Sequence, residues 1–279
     1  MRKFDKPCIK TGDFAKLCNT NKRTLFHYDE IGLFCPVYTD DKGYRYYTES
    51  QCDVFFTITC LKELGMPLKE IKKYVDHRNP SDLKTLLEEQ YHKVHRELEH
   101  LQRIERVIET KLKLVTMGER LDFDGRISPV SVEYHPEEYL IATKRLDTSE
   151  HEQLFHAICQ HIGYCNHEEL NVGYPYGAIL CVDCLRTGKT DTYAYFITKV
   201  AEKPENYEYL IKPKGEYAVI YLRGNYYEAE KAYERLFHYL EIHGLTAGEF
   251  CYKEAVWDEM TVKREEDYVT KISIPVYKL

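Results

Sequence analysis

The chain has 279 residues, 43% of them hydrophobic and 30% charged, with a formal net charge of −7. This is an ordinary composition for a soluble globular chain, and the length suits two domains and a connector. No run of about 18 apolar residues exists, so no membrane-spanning helix is expected, and the opening "MRKFDKPCIKTGDF" lacks the apolar segment of a secretory signal. A cytoplasmic protein is the expectation.

The charge is unevenly spread. Residues 1–78 carry 14 Lys/Arg against 11 Asp/Glu, so the rest of the chain holds the whole negative excess. The N-terminal part could meet a polyanion; the remainder would repel one and favour a cation.

The first segment reads as short helices. In "IKTGDFAKLCNT", Thr11 is a plausible N-cap for a helix with Phe14, Ala15, Leu17 and Cys18 on its apolar side. "NTNKRTLFHYDEIG" follows at once, capped by Thr20 or Asn21 and stopped at Gly32. Two short helices so closely joined form a helix-turn-helix pattern. "DDKG" is a turn, and Tyr44 to Tyr47 reads as a strand, which makes a β-hairpin wing. Thr48 and Gln51 read as a capping box for the next helix, which stops at Gly65. Pro67 then opens a further helix. His27, Tyr28, Arg45, Tyr46 and Tyr47 suggest an outward, polar-tipped surface, although Tyr47 and Phe26 are the residues here best suited to a core.

From Ser81 to about Met117 there is neither Pro nor Gly. Leu87, Val94, Leu101, Ile108 and Val115 recur every seven residues, with Tyr91, Leu98 and Leu112 in a second row that Glu105 interrupts. This is a coiled-coil pattern. A lone helix cannot bury such a stripe, and no second long heptad run exists for an intramolecular hairpin, so a homodimer is expected.

The third segment contains a repeat. "EYLIATKR" at 138–145 and "EYAVIYLR" at 216–223 lie 78 residues apart. Each leads to a helix and then to two strand-like runs, giving two strand-helix-strand-strand units in an α+β fold. A cleft between such halves suits a small molecule. In "EFCYKEAVW", Phe250, Tyr252, Glu254 and Val256 share one face. A carboxylate there needs a partner: either an internal cation such as Arg145, Arg223 or Lys253, or a cationic ligand. Tyr176 is the repeat mate of Glu254. Tyr193 and Tyr195 alternate onto one face of the next strand, Tyr268 occupies the matching last strand, and Phe155 and Tyr227 flank the two helices. Trp257 points away from Glu254 unless a bulge intervenes.

Ten cysteines are scattered along the chain. The pair in "CVDC", Cys181 and Cys184, sits in a strand-like run whose alternation sends the two thiols to opposite faces, so buried reduced thiols are expected rather than a metal site. No cofactor is expected.

"TLFHYDEIGLFCP", "GYRYYTESQ" and "LKELGMPLKEI" resemble the DNA-binding domain of MerR-family transcription regulators. The long helix is similar to that family's antiparallel dimerisation helix. The third segment resembles the GyrI-like effector-binding domain of the BmrR-like, multidrug-sensing branch. The resemblance implies three parts: a winged helix-turn-helix DNA-binding domain at 1–78, a coiled-coil dimerisation helix at 79–120 and a GyrI-like effector-binding domain at 126–279.

It also implies a non-enzymatic regulator that binds double-stranded promoter DNA as a homodimer. Inducer binding would bend and untwist the promoter so that RNA polymerase can start. The second helix of a helix-turn-helix lies in the major groove. The DNA-facing candidates are therefore Thr11, Lys22, Arg23, Thr24, His27 and Tyr28, with Lys42, Gly43, Tyr44, Arg45 and Tyr46 on the wing. Phe26-His27 replaces the Arg-Tyr pair of many relatives. The effector candidates are Phe155, Tyr176, Tyr193, Tyr195, Tyr227, Tyr252, Glu254, Trp257 and Tyr268. Among them Glu254 corresponds to a buried glutamate that, in this branch, offsets a lipophilic cation. Two other functions fit the residues: a GyrI-like hydrolase using Glu254 and a cleft tyrosine, and a DNA-binding repressor whose cleft is filled by its own side chains.

Overall fold

The computed structural model describes residues 8–225 and 229–278. The chain divides into two compact units, one ending at His100 and one beginning at Leu101.

The first unit contains β1 (Cys8–Lys10), α1 (Thr11–Leu17), α2 (Lys22–Glu30), β2 (Tyr38–Thr39), β3 (Arg45–Thr48), α3 (Gln51–Glu63) and α4 (Leu68–Asp76). Its small sheet runs β1-β3-β2, with antiparallel pairs. Aromatic stacking builds the core: the Phe14 ring lies 4.6 Å from Tyr47, and Phe34 lies 5.6 Å from Tyr47.

The α2 cap is the expected Asn21, whose side chain accepts from the Thr24 amide at 2.8 Å. Thr11 is not a cap. Lys10 holds that position, and the Thr11 hydroxyl instead donates to the Arg45 carbonyl at 3.0 Å, tying α1 to the wing. Half of the expected capping box forms: the Gln51 side chain accepts from the Thr48 amide at 3.0 Å, while the Thr48 hydroxyl turns to Ser50.

The long helix α5 spans Pro80–Glu119. At 1.5 Å per residue it is about 60 Å long. Tyr91, Val94, Leu98, Leu101, Ile108 and Leu112 are all exposed along it. From Leu87 to Leu112 the heptad row therefore stays uncovered by the described residues of this chain, and Val115 at its end is half-buried.

The second unit adds β4 (Ser131–His135), β5 (Glu138–Ala142), α6 (His151–His167), β6 (Gly177–Cys181), α7 (Val182–Arg186), β7 (Tyr193–Val200), β8 (Leu210–Lys212), β9 (Gly215–Arg223), α8 (Glu230–Ile242), β10 (Leu245–Ala247), β11 (Phe250–Trp257) and β12 (Val269–Lys278). The sheet runs β4-β9-β12-β11-β6-β7-β5-β8, with β10 on β12. The two repeats meet at its centre, where β6 and β11, the second strand of each, pair antiparallel.

This arrangement gives the sheet two distinct faces. On the helical face, Ala178, Leu180, Ile220 and Ile272 pack with Tyr233 and Leu236 of α8 and with Leu154 and Ile158 of α6. On the opposite face, Ile179, Ile197, Tyr217, Tyr252 and Val256 pack against Met117, Leu121 and Phe123 at the end of α5 and just beyond it. Because a strand alternates, neighbouring residues of β6 or β11 serve different faces.

The "CVDC" segment departs from the strand expectation. β6 ends at Cys181, and the short α7 takes up Cys184, leaving both thiols partly exposed. Among the described residues, no helix is long and apolar enough to cross a membrane, and no group of three or more His, Cys, Asp or Glu is placed to hold a metal ion.

Candidate functional site

The first unit presents a basic surface on α2. Lys22, Arg23, His27 and Phe26 are exposed and Thr24 is partly so, whereas Leu25 and Tyr28 turn inward. Tyr28, expected to reach outward, is 4% exposed and belongs to the core; Phe26, expected inside, is 36% exposed. The pattern of α2 explains the exchange. Leu25 and Tyr28 are three apart and share its inner face, and Phe26 instead lies under the guanidinium of Arg45, 4.7 Å from ring centroid to Cζ.

Asp40 builds the wing turn. One of its carboxylate oxygens accepts from the amides of Lys42 at 3.0 Å and Tyr44 at 2.7 Å, and the other accepts from the Tyr46 hydroxyl at 3.2 Å. Gly43 adopts φ +81°, which a side chain would resist. Lys42, Gly43 and Tyr44 are exposed at the tip, while Tyr47 is buried in the core. Arg45 is committed internally: its Nε bonds Asp29 of α2 at 2.6 Å, so it fastens the wing to the helix.

Among the described residues of the second unit, two cavities lie on the two faces of the sheet, sharing Tyr174, Pro175, Gly177 and Ala255 in their walls, and a third, of about 500 Å³, lies along the end of α5. The larger, of about 900 Å³, lies on the helical face between α6 and the strands. Its volume falls within the range of small-molecule sites. Phe155, Tyr176, Tyr193, Phe196 and Ile158 are among its walls, and Lys253 reaches it from β11. Behind the wall, buried His161 shares a 3.0 Å hydrogen bond with Thr198, and burial pulls its pKa down to about 4.

The smaller cavity, of about 230 Å³, lies on the opposite face and holds the charges. Lys212 is almost completely buried and meets Glu254 at 2.6 Å and Glu138 at 3.3 Å; Lys199 also bonds Glu138. Lys271 approaches Glu133 at 3.6 Å, and His135 meets the same carboxylate at 3.3 Å. Burial alone would raise the Glu254 carboxyl, but the Lys212 ammonium outweighs it and holds that carboxyl well below the usual range. Burial likewise works against the Lys212 charge, and the two carboxylates more than offset it. Of the two partners left open for Glu254, an internal cation or a cationic ligand, the structure shows an internal cation, and it is Lys212 rather than Arg145, Arg223 or Lys253.

The candidate residues separate between the two faces. Glu254 is the register partner of Gly177, so the two share a face and Tyr176, one residue earlier, lies on the other. Tyr176 and Glu254 therefore do not share a cleft. A Cβ on Gly177 would come within 2.8 Å of the Lys253 carbonyl, so this crossing point accepts only glycine without a shift. Tyr193 and Tyr195 also part company. The register between β6 and β7 slips at Ala194, pairing Ile179 with Tyr195 but Leu180 with Tyr193. The extra residue reverses the parity. Tyr193 lines the larger cavity and Tyr195 lies on the opposite face beside Phe250.

A second register slip, between Ala255 and Trp257, turns Trp257 to the face of Tyr252 and Val256. There its indole N–H donates to the Val115 carbonyl at 3.3 Å. Tyr252 packs in that core, and neither it, Trp257 nor Tyr268 lines either cavity. Tyr227 lies outside the described residues.

Sequence reasoning passed over Lys212, Lys199 and Glu138, and treated Lys253 only as a partner for Glu254. Lys212 sits in a three-residue strand, too short to show alternation. The adjacency of Lys253 and Glu254 was itself a signal, since neighbours on a strand cannot share a face.

Separate parts of the chain match known family models. Residues 9–78 match the model of the MerR HTH family regulatory proteins, 57–111 the MerR DNA-binding model, and 129–277 the GyrI-like small molecule binding domain. The chain is 37% identical over 272 residues to the multidrug-efflux transporter 2 regulator of Bacillus subtilis (strain 168), covering 97% of each protein. It is 25% identical over 276 residues to the multidrug-efflux transporter 1 regulator of the same organism, covering 95% of this chain and 96% of that protein. A 30% identity over 135 residues relates it to the HTH-type transcriptional activator mta, also of Bacillus subtilis, covering 47% and 52%. With a DNA-binding head and a small-molecule-binding domain in one chain, the protein belongs to the MerR family of helix-turn-helix transcription regulators that carry a GyrI-like effector domain.

Proposed function

We propose that this protein is a homodimeric, cytoplasmic activator that senses small aromatic compounds and controls an efflux system. Residues 1–78 hold the promoter, 79–120 pair two chains, and 126–279 bind the effector. The observation that carries this reading is the larger cavity, about 900 Å³ with aromatic walls, in the unit that matches a small-molecule-binding domain. The uncovered row on α5 supports pairing: Leu98, Leu101 and Ile108 would be covered by a second copy of the same helix.

The head would place Lys22, Arg23, Thr24 and His27 toward the groove and Lys42, Tyr44 and Tyr46 toward the backbone. Arg45 and Thr11 would act by holding the wing against α1 and α2. Smooth bending of a promoter costs on the order of 1–6 kcal/mol, so the effector must favour the activating state by a comparable amount. RNA polymerase would then respond to the altered promoter geometry rather than to a protein surface.

A sensor releases its ligand unchanged. The hydrolase alternative relied on Glu254, which lines the smaller cavity on the opposite face and pairs with Lys212. A thermal-shift screen of aromatic compounds, followed by transcription in vitro from the gene's own promoter, tests the reading. The expected result is a hit that stabilises the protein, raises transcript yield and is recovered intact. A hit that is consumed, or DNA binding with no effect of any stabilising compound on transcription, would contradict it.

A further inference from the structure

The first unit holds a pair of thiols that DNA binding itself does not use. Cys18 closes α1 as its C-cap, and Cys52 is the second residue of α3. The Cys18 thiol donates to the Cys52 sulfur at 3.8 Å, between residues 34 apart in the chain. Cys18 is 5% exposed, whereas Cys52 is partly exposed. The pair stands where two DNA-facing parts are hung. On the Cys18 side, Asn19 turns the chain with φ +48°, and Asn21 then caps α2. On the Cys52 side, the neighbouring Gln51 side chain accepts from the Thr48 amide at 3.0 Å, at the end of the wing strand β3, and donates to the Cys35 carbonyl at 2.9 Å.

We propose that Cys18 and Cys52 form a hydroperoxide-sensitive dithiol, whose closure to a disulfide weakens the hold of the head on promoter DNA. This rests on reading residues 1–78 as the DNA-binding domain. Cys52 is the attacking group. Peroxide reaches it from solvent, while burial and the contact with Cys52 push the Cys18 pKa up to about 12 and keep that thiol protonated. The Cys52 sulfur attacks hydrogen peroxide: an S–O bond forms as the O–O bond breaks, leaving a sulfenic acid and one water. The Cys18 sulfur then attacks the Cys52 sulfur, the S–O bond breaks, and a second water leaves with the Cys18 proton. The two thiols together lose two electrons, and one peroxide is reduced to two waters. The sulfurs must close from 3.8 Å to about 2.05 Å. Cys18 lies in a close-packed core with Phe14, Leu25 and Phe55, so the movement passes to the turn and to α2 rather than ending in one side chain.

The test treats the reduced full-length protein with hydrogen peroxide, maps its peptides by mass spectrometry and titrates promoter DNA before and after. A peptide linked through Cys18 and Cys52 is expected, with promoter affinity about tenfold lower and restored by dithiothreitol. In Cys52→Ser and in Cys18→Ala, peroxide should change the affinity by less than about twofold. The wild-type peptide map and its reversal stand as tests even where a variant does not fold. Oxidation of the exposed Cys60 and Cys159 with no link between Cys18 and Cys52, a linked protein that binds the promoter as the reduced one does, or an equal loss in Cys52→Ser overturns the proposal while leaving the DNA-binding reading in place. Reduced wild-type protein with no affinity for the promoter overturns that reading and this inference with it.

Discussion

The two faces of the sensor sheet place their charges differently. On one, Lys212, Lys199 and Lys271 interlock with Glu254, Glu138 and Glu133, and a cavity of about 230 Å³ remains among the charges. On the other, Phe155, Tyr176, Tyr193, Phe196 and Ile158 line a cavity of about 900 Å³, and the α5 cations that also line it, Arg103 and Lys111, pair with Glu169 and Asp258. The lesson is that a charged residue on a strand means little until its face is known. Mutually satisfied charges make a framework; open space among aromatic walls makes a site.

The largest expected effect is on the framework. Lys212→Met removes the ammonium held between Glu138 and Glu254 and leaves two partly buried carboxylates facing each other. Breaking a buried pair in this way costs about 3 kcal/mol. Urea unfolding of the sensor unit within the full-length protein should show it, and Glu254→Leu added to Lys212→Met should recover part of the loss. A cost below about 1 kcal/mol would mean the cluster behaves as a solvated surface network.

A smaller effect separates the faces by pH. His161, behind the wall of the larger cavity, has its pKa lowered to about 4, whereas an exposed histidine titrates near 6.5. The unfolded chain therefore takes up the proton first. The stability this group contributes is complete above pH 6.5 and is lost as pH falls toward 4, on the order of 2–3 kcal/mol in total. Glu133, whose pKa its hydrogen bond with His135 lowers to about 2 against the opposing effect of burial, loses its contribution only at lower pH, between 4.5 and 2. Unfolding followed across these windows should show two limbs, and His161→Phe should flatten only the upper one. An upper limb unchanged by the substitution would remove His161 as its source.

The smallest expected effect is on binding. Glu254→Gln should weaken the fold yet change the affinity for a neutral aromatic ligand by less than about twofold, because the residue opens onto the other face. A tenfold loss in a calorimetric titration would return Glu254 to the effector site.

Much of the fold was legible. The Asn21 cap, the Gly43 turn and the heptad row each have a local cause visible in a few residues, and the 78-residue repeat announces the paired halves of the sheet. Boundaries were less so: the strand expected through Cys184 ends at Cys181, because α7 begins there. The site was only partly legible. Phe155, Tyr176 and Tyr193 do line the larger cavity, but Tyr195 and Trp257 are redirected by single-residue register slips that no alternation count anticipates. The partner of Glu254 lies 42 residues away in a three-residue strand. Tyr28 and Phe26 exchanged places because both are aromatic and either can fill a core; the spacing from Leu25 decides between them.

The central claim is that the larger cavity on the helical face holds the effector that drives transcription. Its most direct test is effector-dependent transcription in vitro from the gene's own promoter by wild type and Ile158→Trp, a substitution that fills the cavity from α6. The account predicts equal promoter affinity for both proteins without effector, a transcriptional response in wild type, and none in Ile158→Trp at the same effector concentration. A variant that binds the promoter and responds at the wild-type concentration would contradict it.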